Sequence, residues 1–192
     1  MTDSTIIGTG NMANAIGGVL ADGGSTVTYI AKDQIGSAPL DGDIVVLAVP
    51  YPAVDGILDA YGDQFDGKAV VDISNPLDFE TFDSLTVPVG TSAAAEIQAK
   101  LPKAHVLKAL NTTYAGTLTS KKIGDHDTTV LIAGDDAAAK QTLAAAVEAG
   151  GVGAIDAGSL ARAHELEALG FLQLALSAGE KISWSGGFAV VR

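Results

Sequence analysis

Residues Gly8-Thr9-Gly10-Asn11-Met12-Ala13 form a G-x-G-x-x-A turn, and the chemistry open to such a turn is the binding of a pyrophosphate. Before it stands the β-branched run Thr5-Ile6-Ile7, suited to a buried parallel strand. After it Met12, Ile16, Val19 and Leu20 recur at i, i+4, i+7 and i+8, which gives a helix one apolar face. In this setting Gly8 allows the tight turn, Gly10 lets phosphates approach the backbone, and Ala13 keeps helix and strand close. The helix N-terminus then faces the phosphates. A glycine cluster alone is a weak signal; its place between a strand and an amphipathic helix makes it a dinucleotide fingerprint.

Other residues with possible chemistry fall at the ends of apolar runs. Ala31-Lys32-Asp33 follows Thr26-Val27-Thr28-Tyr29-Ile30, where an acidic side chain would accept a ribose 2′-hydroxyl and a basic one would hold a 2′-phosphate. Lys32 favours NADP and Asp33 favours NAD, so these residues alone leave the choice open. Val49-Pro50-Tyr51-Pro52, Ser74-Asn75-Pro76-Leu77 and Asn111-Thr112-Thr113 end three later runs, and ligands of open α/β sheets bind beyond such ends. Tyr51, Asn75, Asn111 and Thr112 could hydrogen-bond a nicotinamide ribose or carboxamide, or could simply close turns. Lys108 lies within a strand, with half its length expected to be buried beside a partner. His164 reads as packed or exposed, and Arg162 as closing over a phosphate or pairing with Glu165. No Ser-His-Asp set or carboxylate pair stands out, so no catalytic residue and no metal ligand is assigned.

The elements that must position these residues follow from the alternation of apolar runs. The chain of 192 residues suits one well-buried domain. Strands are expected at 5–7, 26–30, 44–49, 69–73, 105–110, 128–133 and 152–156. Helices are expected after Gly10, at 53–61, 92–101 and 136–149, and from Ser159 to about Gly179. About ten residues separate Ile30 from Ile44, and Gly36, Pro39 and Gly42 interrupt them, so the usual second helix and third strand look truncated. The pattern predicts an α/β fold over residues 1–192: a Rossmann-type, doubly wound, mostly parallel sheet in a single domain, with a C-terminal helix and tail.

Composition bounds the function. The chain has no cysteine, which removes disulfides and thiolate chemistry, and His105, His126 and His164 lack ligand spacing. A net charge of −12 with scattered cations disfavours nucleic acid. The first strand begins close to Met1 without a preceding signal-like segment, and no apolar run approaches the ~20 residues of a membrane span. A cytoplasmic protein without membrane contact is expected. The apolar residues Leu160, Leu166, Leu169, Phe171, Leu172, Leu174 and Leu176, with the tail from Trp184 to Val191, exceed what one sheet face covers and predict a homodimer.

Taken in order, Gly8 to Ala13, Val49-Pro50-Tyr51, Val71 to Leu77, Lys108 to Thr112, Ala133 to Asp136 and Asp156 to Leu160 resemble the NADPH-dependent reductases of the deazaflavin coenzyme F420. The likeness covers nearly the whole chain. It implies NADP as cofactor and a small redox acceptor, F420 or a flavin. The implied cofactor contacts are Gly8, Thr9, Gly10, Asn11, Met12, Ala31, Lys32, Val49, Pro50, Tyr51, Asn75, Pro76, Asn111 and Thr112. In that family a Ser-Arg or Asn-Arg pair grips the 2′-phosphate with the Thr of the glycine turn; here Thr9 is kept and Ala31-Lys32 replaces the pair. Pyrroline-5-carboxylate reductases are similar at the Gly-Asn-Met-Ala turn but carry a helical second domain. The cytoplasmic domain of six-transmembrane ferric reductases is similar as well. The expected reaction is hydride transfer from NADPH to a flavin-like ring, with catalysis by position. The competing readings are a dinucleotide sensor without catalysis and an imine reductase.

Overall fold

A computed structural model describes residues 2–191. The first half of the chain alternates β1 (Asp3–Ile7), α1 (Asn11–Asp22), β2 (Thr26–Ile30), β3 (Ile44–Leu47), α2 (Val54–Tyr61), β4 (Ala69–Asp72) and α3 (Ala93–Lys100). The second half adds β5 (His105–Lys108), α4 (Ala115–Ser120), β6 (Lys122–Ile123), β7 (His126–Asp127), β8 (Thr129–Gly134), α5 (Ala137–Ala149), β9 (Gly153–Gly158) and α6 (Ala163–Ala178). Seven strands form one sheet in the order β2-β1-β3-β4-β5-β8-β9. Strands β1 to β5 are mutually parallel, β8 is antiparallel to β5, and β9 is parallel to β8. This is the doubly wound, mostly parallel sheet that the alternation predicts.

The β-branched runs build two cores because neighbouring side chains of a strand point to opposite faces. Ile6, Val46, Val71 and Leu107 meet Ile16, Leu20, Leu143 and Val147 of α1 and α5 on one face. Ile7, Val45, Val70 and Val106 meet Ile57, Leu58 and Ile97 of α2 and α3 on the other. Both faces of the central strands are covered, which is why those runs are continuously apolar.

Departures from the expected elements are local. The β2 to β3 crossing holds a 3-10 turn at Lys32–Gln34 and no α-helix, in keeping with Pro39 and its two glycines. Helix α4 and the β6-β7 hairpin escape the sequence pattern because each is too short to show a period. They turn the chain so that β8 enters against β5. The last helix begins at Ala163, after a 3-10 turn at Leu160–Arg162, rather than at Ser159.

The orientation of α6 is the larger surprise. Its inward stripe is Leu166, Glu167, Gly170, Gln173 and Ser177, mostly small or polar, while Leu172 is 51% exposed. The leucines therefore do not supply an ordinary core stripe. Beyond α6, Trp184, Phe188 and Val191 are also exposed.

Candidate functional site

Strand β1 has β2 on one side and β3 on the other, so the chain crosses over at the carboxyl end of β1 and leaves a crevice there. Gly8 makes the turn out of β1 at φ +123°, and a Cβ on it would run into the carbonyl of Ala48, so both backbone and space demand glycine. Gly10 differs. It is the N-cap of α1 at φ −76°, no side chain caps the helix, and a Cβ there would meet nothing within 4 Å. Neither strain nor protein packing accounts for glycine at this position. Open space in front of uncapped helix amides fits a pyrophosphate, which needs both the gap and the donors. Asn14 donates to the Thr9 and Gly10 carbonyls and so fixes the turn.

The end of β2 supplies the next part. Ala31 begins the 3-10 turn, its amide donating to Gln34 Oε1 at 2.9 Å. Lys32 and Asp33 are exposed, and among the described residues the Lys32 ammonium makes no ion pair or hydrogen bond. A cation left unpaired in so acidic a chain is free to meet an anion.

Beyond the ends of β3, β4 and β5 lies a cavity of about 560 Å³. It brings together Gly10, Asn11, Met12, Val49, Pro50, Tyr51, Asn75 and Asn111 of the sequence-predicted set. Gly8, Thr9, Ala31 and Lys32 stand outside it at the ends of β1 and β2, on the side where the adenosine half of a dinucleotide would run. Pro76 and Thr112 are buried and do not line it. Sequence reasoning missed Ser74 as a wall residue together with Phe79, Leu110, Tyr114, Leu174 and Trp184. Only the position of Ser74 at a strand end could have marked it; the others are gathered from distant loops and from α6.

Two buried oxygens in this wall have no partner, Ser74 Oγ and Asn111 Oδ1. The Asn111 amide group donates to Asn75 Oδ1 at 2.9 Å and to the Leu166 carbonyl at 2.8 Å, while Asn75 Nδ2 returns a bond to the Asn111 carbonyl at 2.9 Å. The two asparagines thus lock the loops after β4 and β5 to α6. Both amide donors of Asn111 and one of Asn75 are occupied, a structural duty that the sequence left open beside ligand binding. Gly170 makes the lock possible, since a Cβ there would strike Asn75 Oδ1. Leu110 takes the left-handed conformation at φ +64° while fully buried, a strain that the Thr113 hydroxyl holds by bonding the Leu110 carbonyl at 2.8 Å.

Beneath the wall sits Lys108. Its whole side chain is inside, more than the half expected, and it reaches Asp72 Oδ2 at 2.8 Å, the Ser74 carbonyl at 2.5 Å and Glu167 Oε1 at 2.9 Å. An ammonium has three donors, and all three are used. Glu167 also accepts from the amides of Ala93 and Ala94 at the start of α3. Burial lifts the Glu167 carboxyl above its ordinary range, and the Lys108 ammonium offsets only part of that lift. Tyr51 donates its hydroxyl to Glu96, and burial first, then this carboxylate, push the phenol well above its ordinary range. Tyr51 therefore keeps its proton at neutral pH. His164 is exposed, bonded through Nδ1 to the Thr91 carbonyl, and Arg162 pairs with Glu165 at 2.9 Å. Among the described residues no helix is long and apolar enough to cross a membrane.

Sequence and structure comparisons point the same way. No protein-family model matches the chain. The F420-dependent NADP reductase of Methanocaldococcus jannaschii is 29% identical over 165 residues, 82% of this chain and 74% of that protein. A solved structure of a candidate F420-dependent NADP-reductase from Arthrobacter sp. FB24 superposes with a TM-score of 0.83 at 25% identity, covering 100% of both chains. The chain resembles the F420-dependent NADP reductases. The metalloreductase STEAP3 of Rattus norvegicus is 30% identical over 178 residues, 85% of this chain, and the chain spans 35% of its length. The shared frame is thus a dinucleotide-binding reductase fold.

Two expectations follow. Gly8→Ala should cost about 2 kcal/mol or more of stability, whereas Gly10→Leu should leave Tm nearly unchanged and weaken NADP⁺ binding about a hundredfold, read by calorimetry. If both variants lose stability alike, Gly10 serves packing and not a ligand. The second concerns pH. Because the folded Glu167 carboxyl is raised, its contribution to stability is present below the unfolded value of about 4.3 and is lost as pH rises through the folded one. The Tm advantage of the native chain over Glu167→Gln should narrow as pH rises above about 4.3; a widening gap contradicts this assignment.

Proposed function

We propose that the chain is an NADP-dependent oxidoreductase that passes hydride from NADPH to a small acceptor ring of the deazaflavin or flavin kind. The observation that carries this reading is the unfilled space at Gly10 before the uncapped α1 amides, opening into a cavity at the ends of β3, β4 and β5. The pyrophosphate would lie on the amides of Asn11 and Met12. Lys32 and Thr9 would flank the 2′-phosphate, and Ala31 would border the adenosine. Val49, Pro50, Tyr51 and Asn75 would wall the nicotinamide and Asn111 would set its edge, with Pro76 and Thr112 buried behind them. The unpartnered Ser74 Oγ and Asn111 Oδ1 support a carboxamide there, one oxygen able to donate and the other to accept.

The nicotinamide supplies hydride chemistry when bound, and the residues of this chain orient it. The cavity wall offers amides, hydroxyls and rings, and of its two phenols Tyr51 is held protonated by burial and Glu96 while Tyr114 is bonded to Ser177 and the Gln173 carbonyl. A ketone or imine calls for a placed acid near the working pH. A flavin-like ring takes hydride directly and needs mainly alignment and exclusion of water, which favours such an acceptor.

NADPH should bind about tenfold or more tightly than NADH, and Lys32→Ala should remove that preference, because a charge-assisted contact to the 2′-phosphate is lost. Equal dissociation constants in the native chain would move the ribose contact to Asp33. NADPH oxidation should also appear with at least one of deazaflavin, flavin or quinone acceptors; oxidation of none of them would leave a dinucleotide-binding module.

A homodimer belongs to the same proposal. The outward Leu172 of α6 and the exposed Trp184, Phe188 and Val191 of the tail support burial against a second copy. Light scattering at micromolar concentration should give twice the chain mass of 19.3 kDa, and Leu172→Glu should return it to one. A native chain of single mass rules the dimer out.

A further inference from the structure

The aromatic walls of the cavity differ in how they are held. Tyr114 bonds Ser177 Oγ at 2.7 Å and the Gln173 carbonyl at 3.1 Å, and the Trp184 ring centre lies 5.4 Å from its own. Phe79 lines the same cavity from the stretch between β4 and α3. It is 55% exposed, and the Phe82 ring stands edge-on to it at 5.7 Å and 84°.

Residues 78–84 form a closed excursion on a buried neck at Pro76 and Leu77. Leu77 bridges Leu85, the Thr86 amide and hydroxyl donate to the Pro76 carbonyl at 2.6 and 3.0 Å, and the Asp78 amide donates to the Ser84 carbonyl at 2.9 Å. Inside the excursion the Asp78 carboxylate accepts from the Glu80 amide and the Thr81 hydroxyl, both at 2.8 Å, a side-chain turn that gathers the tip. Phe82 is left at φ +54°, a conformation that bulky side chains seldom take, with its amide on the Asp78 carbonyl at 2.8 Å. Among the described residues, every hydrogen bond made by 78–84 stays within the excursion and its neck. All seven are exposed or half-buried.

Such a unit is joined to the body through its neck alone. Tilting it breaks no hydrogen bond to the rest of the protein, so little free energy separates one position from another. As it stands, the excursion leaves more than half of an aromatic ring in water at the border of a site whose reaction needs water kept out. We propose that Phe79 is an acceptor-contacting residue, carried on the 78–84 excursion as a flap that closes over the acceptor ring when that ring enters the cavity. The proposal rests on the hydride-transfer reading above and assigns a residue to its acceptor side. Closure buries the Phe79 ring against a flat ring, and the Asp78 turn moves Phe79 and Phe82 as one piece. Asp78 is thus a positioning residue that acts through Phe79.

The chain holds five phenylalanines, so uniform labelling with para-fluorophenylalanine gives a fluorine NMR spectrum in which Phe79→Leu identifies the Phe79 signal by its loss. The labelled full chain is titrated with NADP⁺ alone, then with NADP⁺ and oxidised F420, a pair that cannot turn over. The Phe79 signal should move by more than its line width when F420 is added, and further than NADP⁺ alone moves it. Hydrogen exchange of the 78–84 amides should slow about tenfold in the same complex, because the closed excursion opens less often. In oxidation of NADPH by F420, Phe79→Ala should lower kcat/KM for F420 about tenfold, while Tm and the NADP⁺ dissociation constant stay near their native values. Phe79→Tyr, which keeps the ring, should restore kcat/KM. Asp78→Ala should cause a loss of the same order, and the double variant should be no worse than Phe79→Ala.

A Phe79 signal that F420 does not move overturns the proposal, as does unchanged exchange of the 78–84 amides. Additive losses in the double variant overturn the flap as well, since Asp78 would then act apart from the ring. The two readings fail separately. A moved Phe79 signal with slowed exchange but no NADPH oxidation upholds the flap and sinks the hydride-transfer reading. Oxidation by F420 that Phe79→Ala leaves untouched upholds that reading and sinks the flap.

Discussion

The Lys108 ammonium is the one buried charge on which the site's architecture depends. From the end of β5 it binds Asp72 on β4, the Ser74 carbonyl in the following loop and Glu167 on α6, while Glu167 reaches on to the first amides of α3. Four elements and a loop are thereby fixed by one set of charge-assisted bonds. Taking these charges out of water is costly, and breaking such a set from one side typically costs about 3–5 kcal/mol because the remaining charge is stranded. Burial is the first reason that Glu167 holds its proton more readily than an exposed glutamate; the Lys108 ammonium offsets part of it, and the second carboxylate, Asp72, adds a smaller push in the same direction. The arrangement sets geometry rather than doing chemistry. Lys108 has no donor left for a ligand, and its role is to hold the Ser74-Asn75 loop where the Asn75-Asn111 lock can form above it.

That lock explains why α6 turns polar residues inward. Glu167 answers Lys108, Gly170 gives room to Asn75, and Gln173 and Ser177 hold Tyr114. With most of its inner stripe committed to the site, the helix turns Leu172 outward. The site and the exposed apolar surface are thus two sides of one constraint, and the C-terminal tail returns along the same helix, with the Phe188 amide on Gln173 Oε1 at 3.4 Å.

Much of this was legible in the sequence for a simple reason. The β-branched runs had to be buried on both faces, and the G-x-G-x-x-A turn between Ile7 and α1 admitted few other geometries, so β1, α1, β2 and the truncated crossing at 33–43 could be read locally. Residues 49–51 and Asn75 were legible as wall candidates by their position at strand ends. What could not be read depends on contacts across long separations. Nothing local tells that Lys108 meets Glu167, that Gly170 faces Asn75, or that Trp184 closes the cavity against Tyr114. The leucines of α6 could be counted as more than one sheet face covers, but a count of apolar residues does not say which face packs. Asn111 shows the limit most clearly, because its type suits both a ligand contact and a lock, and only the partners of its amide separate the two.

The central claim is that a bound NADPH gives up hydride to an acceptor held by position alone. Its most direct test is single-turnover oxidation of NADPH deuterated at one or the other C4 position, with a 5-deazaflavin acceptor whose C5 retains the transferred atom. The account predicts deuterium at the acceptor C5 from one diastereomer only, with a primary isotope effect on that turnover, because walls from Val49 to Tyr51 and at Asn75 would cover one face of a nicotinamide placed there. Transfer from both faces alike, or a bound NADPH that no acceptor oxidises, would contradict it.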